Sequence, residues 1–123
     1  MRVLVCGDRK FEDFNLMLET LSKYFNGPGD TLIHGCAKGA DQLAEYVLTM
    51  HMFCELGNIP AIQRFPADWE KYGKAAGPIR NKQMLDEGKP DMVIAFLAPH
   101  SKGTKNMIDQ AKTAEIPVHV VEI

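Results

Sequence analysis

The sequence predicts an α/β fold: one three-layer domain over residues 1–123, with a mainly parallel sheet and helices on both faces. Three observations predict it. Short apolar, β-branched runs alternate with amphipathic segments along the whole chain. The first run, Arg2–Cys6, has no alternating polar residues and reads as a strand covered on both sides. Glycine-rich breaks follow several runs, where a crossover helix would start.

Arg2–Cys6 (RVLVC) is the first strand, ended by Gly7. Phe14, Met17, Leu18, Leu21 and Phe25 then recur at helical spacing, and Asn26-Gly27-Pro28-Gly29 supplies the stop. Asp30–His34 (DTLIH) is the second strand. After the loop HGCAKGAD, Ala40, Leu43, Ala44, Val47, Leu48 and His51 mark a second amphipathic helix that should end near Gly57-Asn58. Ile59–Phe65 (IPAIQRF) is the third strand, and Pro60 places it at an edge or at the strand's first residues.

Pro66–Pro78 (PADWEKYGKAAGP) has no period and reads as an irregular loop. A helix should start near Pro78, carry Met84 and Leu85, and finish at Gly88. Asp91–Leu97 (DMVIAFL) is the fourth strand, and Pro99–Gly103 a loop. Met107, Ile108, Ala111 and Ala114 are helical, and Pro117–Val121 (PVHVV) is the last strand. No internal repeat, low-complexity tract or linker interrupts this order.

Composition limits the function. The chain is 46% hydrophobic and 24% charged, with a net charge of −2. It offers no basic stripe for duplex DNA or an anionic membrane, and nucleic acid is not expected as a partner. No apolar run has the roughly 18–20 residues of a membrane span, and the start is too quickly polar for a signal peptide. Cys6, Cys36 and Cys54 are odd in number and match no zinc or CxxC spacing, which fits a reducing cytoplasm. Each is either a small buried hydrophobe or, near a loop, a reactive thiol. His34, His51, His100 and His119 have no metal-binding spacing, and His51 sits at helical core spacing. Neither metal nor cofactor is expected.

In open α/β sheets, ligands bind beyond the carboxyl ends of the strands. Four elements lie there: Gly7-Asp8-Arg9, Gly35–Asp41, Ala98–Thr104 and the helix start Ala76–Asn81 (AGPIRN). Glycines let backbone amides approach an anion, and a following helix presents unpaired N–H groups. Arg9, Lys38, Arg80 and Lys102 add charge. A helix terminus contributes only about 0.3–1 kcal/mol and a charged hydrogen bond roughly 1.5–3 kcal/mol. Micromolar affinity takes about 8 kcal/mol, so several loops must converge.

Each residue also has a structural reading. Gly35 and Gly39 could be turn glycines. Asp41 could stabilise a helix start or accept from a ribose. Thr104 could be a helix cap or a phosphate ligand. A helix-start arginine such as Arg80 is poorly placed unless an anion is near. Trp69 and Tyr72 could stack on a base, or Trp69 could close the core under its loop. HGCAKGAD is neither a Walker loop nor GxGxxG.

GDR after the first strand, HGCAKGAD after the second, PADWEKYGKAAGPIRN, DMVIAF and KGT together resemble the YspA-like branch of the SLOG superfamily, named for the Smf/DprA and Lonely Guy proteins. The resemblance runs from Val3 to Val118. It implies a Rossmann-like sheet that binds nucleotides or nucleotide-derived ligands such as ADP-ribose derivatives, in prokaryotic or viral settings, with a homodimer as the expected assembly. It carries ligand or phosphate contact to Gly7, Arg9, Gly35, Gly39, Asp41, Arg80, Asn81, Gly103 and Thr104; Lys38 joins them on its charge. In Lonely Guy phosphoribohydrolases the last motif reads PGGxGTxxE. Here HSKGTKNM places Met107 at the glutamate. A thioether is neither acid nor base. The expected function is therefore capture of a phosphorylated nucleotide derivative, for sensing or sequestration. The alternative is a nucleotide N-glycosidase or phosphoribohydrolase with Asp41 or Asp68 as a displaced carboxylate. A ligand-free interaction protein and a DprA-like role on single-stranded DNA fit the retained glycines and cations less well.

Overall fold

The computed structural model describes residues 1–53 and 58–123. Five strands, β1 (Arg2–Gly7), β2 (Thr31–His34), β3 (Ala61–Arg64), β4 (Met92–Leu97) and β5 (Val118–Glu122), form one sheet in the order β3-β2-β1-β4-β5. Every pairing is parallel. The α/β expectation holds, and Pro60 does precede an edge strand.

Residue alternation along the strands divides the core into two layers. Val3, Val5, Leu32, Ile94 and Phe96 face α1 (Phe14–Ser22) and α2 (Ala40–Val47), and pack with Met17, Leu21, Ala44 and Val47. Leu4, Cys6, Ile33, Val93 and Ala95 face the opposite side, against Met84 and Leu85 of α4 (Ala76–Gly88) and Met107 and Ile108 of α5 (Lys102–Thr113). Helices therefore cover both faces of the sheet.

The helix boundaries depart from the periodic pattern in three places. The Asp13 carboxylate caps α1 by accepting from the Leu16 N–H at 3.0 Å. The helix stops at Ser22, before Phe25. The Thr20 and Ser22 hydroxyls bond back to the Leu16 and Leu18 carbonyls, which weakens the last turn. Phe25 still reaches the core from the turn that follows. Beyond α2 the chain makes a π-helical turn, Leu48–Met52. The wider turn shifts the phase, so His51 is exposed and stands edge-on to Phe14 instead of joining the core. The expected stop at Gly57-Asn58 falls on and beside residues 54–57, outside the described residues, as does Cys54.

The Pro66–Pro78 segment is not an irregular loop throughout. It holds α3 (Trp69–Tyr72) and a 3₁₀ turn (Gly73–Ala75), and α4 begins at Ala76. Asp68 caps α3 by accepting from the Lys71 N–H at 3.1 Å. No residue of α3 is buried, so the segment lacks the apolar stripe that reveals helices in a sequence.

Candidate functional site

The sheet reverses its winding between β1 and β4. There the loops after two neighbouring strands lead to opposite faces, and a crevice opens at the carboxyl ends. A cavity of about 660 Å³ occupies this position, within the range of small-ligand sites. Loops after β1 and β4 and the starts of α2, α4 and α5 form its walls. Arg9, Lys10, Lys74, Arg80 and Lys102 face it alongside, among the described residues, two carboxylates, Asp8 and Asp41. A chain of net charge −2 thus carries a locally cationic cavity.

The loops are fastened to one another through Asp8. Its carbonyl accepts from the Ala40 N–H at 3.2 Å, which ties the β1 loop to α2. Its carboxylate accepts from the Lys10 N–H and from the Ser101 hydroxyl, each at 3.1 Å. The Ser101 oxygen in turn accepts from the Ala98 N–H at 3.2 Å. Two glycines allow this closeness. A Cβ on Gly7 would stand 2.7 Å from the Cβ atoms of Ala40 and Phe96. Gly39 has φ +82°, and a Cβ there would meet the Arg9 carbonyl carbon at 2.5 Å.

Asp41 organises the second loop from within. It is 4% exposed, and one carboxylate oxygen accepts from the Gly35 N–H at 2.9 Å and the Ala37 N–H at 3.3 Å. Burial raises its pKa, against the Ala37 N–H, Arg80 and His34, which favour the ionised form. Beneath the loop, His34 Nδ1 accepts from the Cys36 N–H at 3.0 Å, so Nε2 carries the proton and donates to Glu45 at 2.7 Å. Arg64 grips the same carboxylate through two nitrogens, at 2.8 and 2.9 Å. That fork, first among several causes, lowers Glu45 to a pKa of about 2.

Arg80 lies against Gly35, where a Cβ would strike the guanidinium. It donates to the Gly35 carbonyl and, through Nε, to the Asn81 side-chain oxygen at 3.2 Å. Its other N–H groups have no partner among the described residues, and Arg80 lines the cavity. Burial lowers its pKa, Asp41 counteracts this and Arg9 adds to it. Asn81, itself buried, donates to the Gly103 carbonyl at 3.2 Å and to Asn106 at 3.1 Å, locking α4 to α5.

Helix starts set the polarity of the cavity. α1, which begins away from the walls, carries an aspartate cap, and so does the four-residue α3, whose first residue Trp69 borders the cavity. The longer helices that begin at the cavity, α2, α4 and α5, have no side-chain cap. Ser101 holds the cap position of α5, but its hydroxyl is committed to Asp8 and Ala98. Thr104 is the third residue of α5, not its cap. It is 5% exposed and lines the cavity, and its hydroxyl has no hydrogen-bond partner among the described residues. A Cβ on Gly103 would meet nothing within 4 Å.

Gly7, Arg9, Asp41, Arg80, Asn81, Gly103 and Thr104 therefore share one wall system. Gly35 and Lys38 line an adjoining hollow of about 340 Å³ that shares Arg9, Ala37, Trp69 and Arg80 with the larger cavity. Gly39 faces neither. Asp68 is exposed, serves as the α3 cap and lines neither. Met107 is fully buried in the core, not on the cavity wall. Trp69 does not close the core: it is 48% exposed at the mouth, with the Arg9 guanidinium 5.4 Å from its ring centroid. Burial, the leading cause, raises the pKa of both the Cys6 and Cys36 thiols, so neither is an activated nucleophile. No group of three or more metal-ligating side chains occurs among the described residues, and none of their helices is long and apolar enough to cross a membrane. Sequence reasoning missed Asp8, Ser101 and Asn106. The one available signal was that Asp8 and Ser101 stand inside the two glycine motifs.

The model of the YspA, cpYpsA-related SLOG family matches residues 1–46, from β1 into α2. The chain is also 37% identical over 120 residues to the gene 61 protein of Mycobacterium phage D29, which covers 95% of this chain and 93% of that protein. No solved structure gives a significant match. With the glycine loops after β1 and β2 inside the matched segment and a relative alike over nearly its whole length, the chain belongs to the YspA, cpYpsA-related SLOG family.

Proposed function

We propose that the protein binds a phosphorylated nucleotide or nucleotide-derived molecule in the larger cavity and acts by capturing it. One observation carries this reading: three helix starts without side-chain caps converge on a cavity whose cations have no ion-pair partner among the described residues. Helix N-termini and guanidinium groups together suit a phosphate. Arg80, the Thr104 hydroxyl and the α5 amides would hold it, with Gly103 leaving room for its oxygens. Capture is favoured over glycosidic hydrolysis because Met107 lies in the core and Asp68, which caps α3, is not on the cavity wall. Of the carboxylates that do line the wall, Asp41 is engaged by two backbone N–H groups and Asp8 by the Lys10 N–H and the Ser101 hydroxyl.

Isothermal titration against nucleoside mono- and diphosphates, ADP-ribose and its cyclic forms tests the proposal, with chromatography of the recovered ligand. Binding with the ligand returned intact is expected. Arg80→Ala should weaken it about tenfold to a hundredfold, the loss of one charged hydrogen bond. Release of free base would favour the glycosidase, and absence of binding at millimolar ligand would remove the proposal.

A further inference from the structure

We infer that Trp69 is the platform on which the ligand's heteroaromatic base stacks, so that the site prefers base-bearing phosphates over sugar phosphates. The inference rests on the phosphate reading of the larger cavity. Trp69 opens α3, whose start is fixed by the Asp68 cap and whose end turns at Gly73, φ +57°. The indole edge lies beside the start of α4, where a Cβ on Gly77 would make ordinary contact with it at 3.6 Å. Arg9 covers one face at 5.4 Å. The ring is nevertheless 48% exposed and borders both the larger cavity and the adjoining hollow.

A large aromatic ring left half in water at the mouth of a cationic cavity contributes little to the core. Its open area is suited to a second ring, and Arg9 stays beside it to meet negative charge on the same ligand. Every base has a π-face, so stacking supplies affinity without choosing among bases. Tyr72, also exposed, borders neither space and takes no part.

Trp69 is the chain's single tryptophan, so its emission reports on this position alone. The experiment titrates the protein with AMP, GMP, CMP, UMP and ribose 5-phosphate, following both heat and tryptophan fluorescence. The nucleotides should bind about tenfold to a hundredfold more tightly than ribose 5-phosphate and quench the emission, while ribose 5-phosphate binds without quenching. In Trp69→Ala the ratio should collapse toward one, and Trp69→Phe, which keeps a ring, should restore part of it. Nucleotides that bind without quenching, or a ratio that persists in Trp69→Ala, overturn the inference and leave the phosphate site standing. Failure of ribose 5-phosphate and of all four nucleotides to bind the wild-type chain overturns the phosphate reading and this inference with it. Should Trp69→Ala not fold, the wild-type quenching contrast alone decides.

Discussion

Gly7 and Gly103 both open on the cavity, yet they are glycines for different reasons. A methyl on Gly7 would press on the Cβ atoms of Ala40 and Phe96, where β1, β4 and α2 meet. Gly7→Ala should destabilise by about 1–3 kcal/mol through overpacking, read as a lower urea midpoint. A methyl on Gly103 meets nothing, and the residue lies in the first turn of α5. Gly103→Ala should leave stability unchanged or raise it by up to about 1 kcal/mol, while weakening nucleotide binding in calorimetry because the methyl enters the space assigned to phosphate. Equal effects of the two substitutions on stability would contradict the geometry. Glu45 offers a test by pH. Its folded pKa lies near 2, below the ordinary carboxylate value of 4.5. A lowered carboxylate stabilises the fold above its unfolded pKa, and this contribution fades as pH falls from about 4.5 towards 2. Glu45→Gln should be less stable at neutral pH by about 1–2 kcal/mol, once screening around the exposed Arg64 is allowed for. The difference from wild type should disappear near pH 2 in denaturant titrations. At this scale the sequence revealed which residues carry charge, Arg9 and Arg80 among them, but not their partners. Asp41 reads there as a dipole or ribose residue, yet one of its carboxylate oxygens is taken up by the amides of its own loop.

Among the elements, Asn81 shows how a helix becomes part of the site. Its amide bridges α4 to the first turns of α5 through Gly103 and Asn106, while its oxygen steadies Arg80. Asn81→Asp keeps the acceptor for Arg80 but removes both donations and sets a carboxylate beside the Gly103 carbonyl. The expected outcome is a loss of about 1–3 kcal/mol in stability from the unpaired buried groups, with nucleotide affinity falling at least tenfold as negative charge enters the cavity. Calorimetry alongside thermal unfolding measures both. β1, β2 and β4 were legible as compact apolar runs, the shorter and more polar β3 and β5 from their place in the alternation with helices, and the parallel arrangement followed from that alternation. The exposed α3 was not legible, since a four-residue helix with no buried face leaves no periodic trace. Nor was the π-helical turn at Leu48–Met52, where one wider turn carries His51 off the face that its spacing implied.

For the whole molecule, winding order decides which residues can meet. Because β4 returns beside β1, Asp8 and Ser101 touch although they are 93 residues apart, and Arg80 reaches Gly35 across 45. The same architecture fixes what Met107 can do. Two faces of α5 divide cavity from core: Thr104 and Asn106 line the wall, while Met107 and Ile108 join the layer that holds Leu4, Cys6, Val93 and Met84. Substituting the glutamate of the Lonely Guy motif at this position would therefore not deliver a carboxylate to a glycosidic bond. It would bury one among aliphatic side chains, at a cost of about 3–5 kcal/mol if ionised and unpaired. Met107→Glu should accordingly lower the unfolding midpoint sharply, more so at neutral than at acid pH, and release no base from AMP. The pH trend separates this from a generic packing defect, because protonation below the carboxylate range removes the charge but not the change of shape. A folded Met107→Glu protein that liberates adenine would show that α5 can turn this position towards the ligand, and the argument for capture over hydrolysis would lose its structural support.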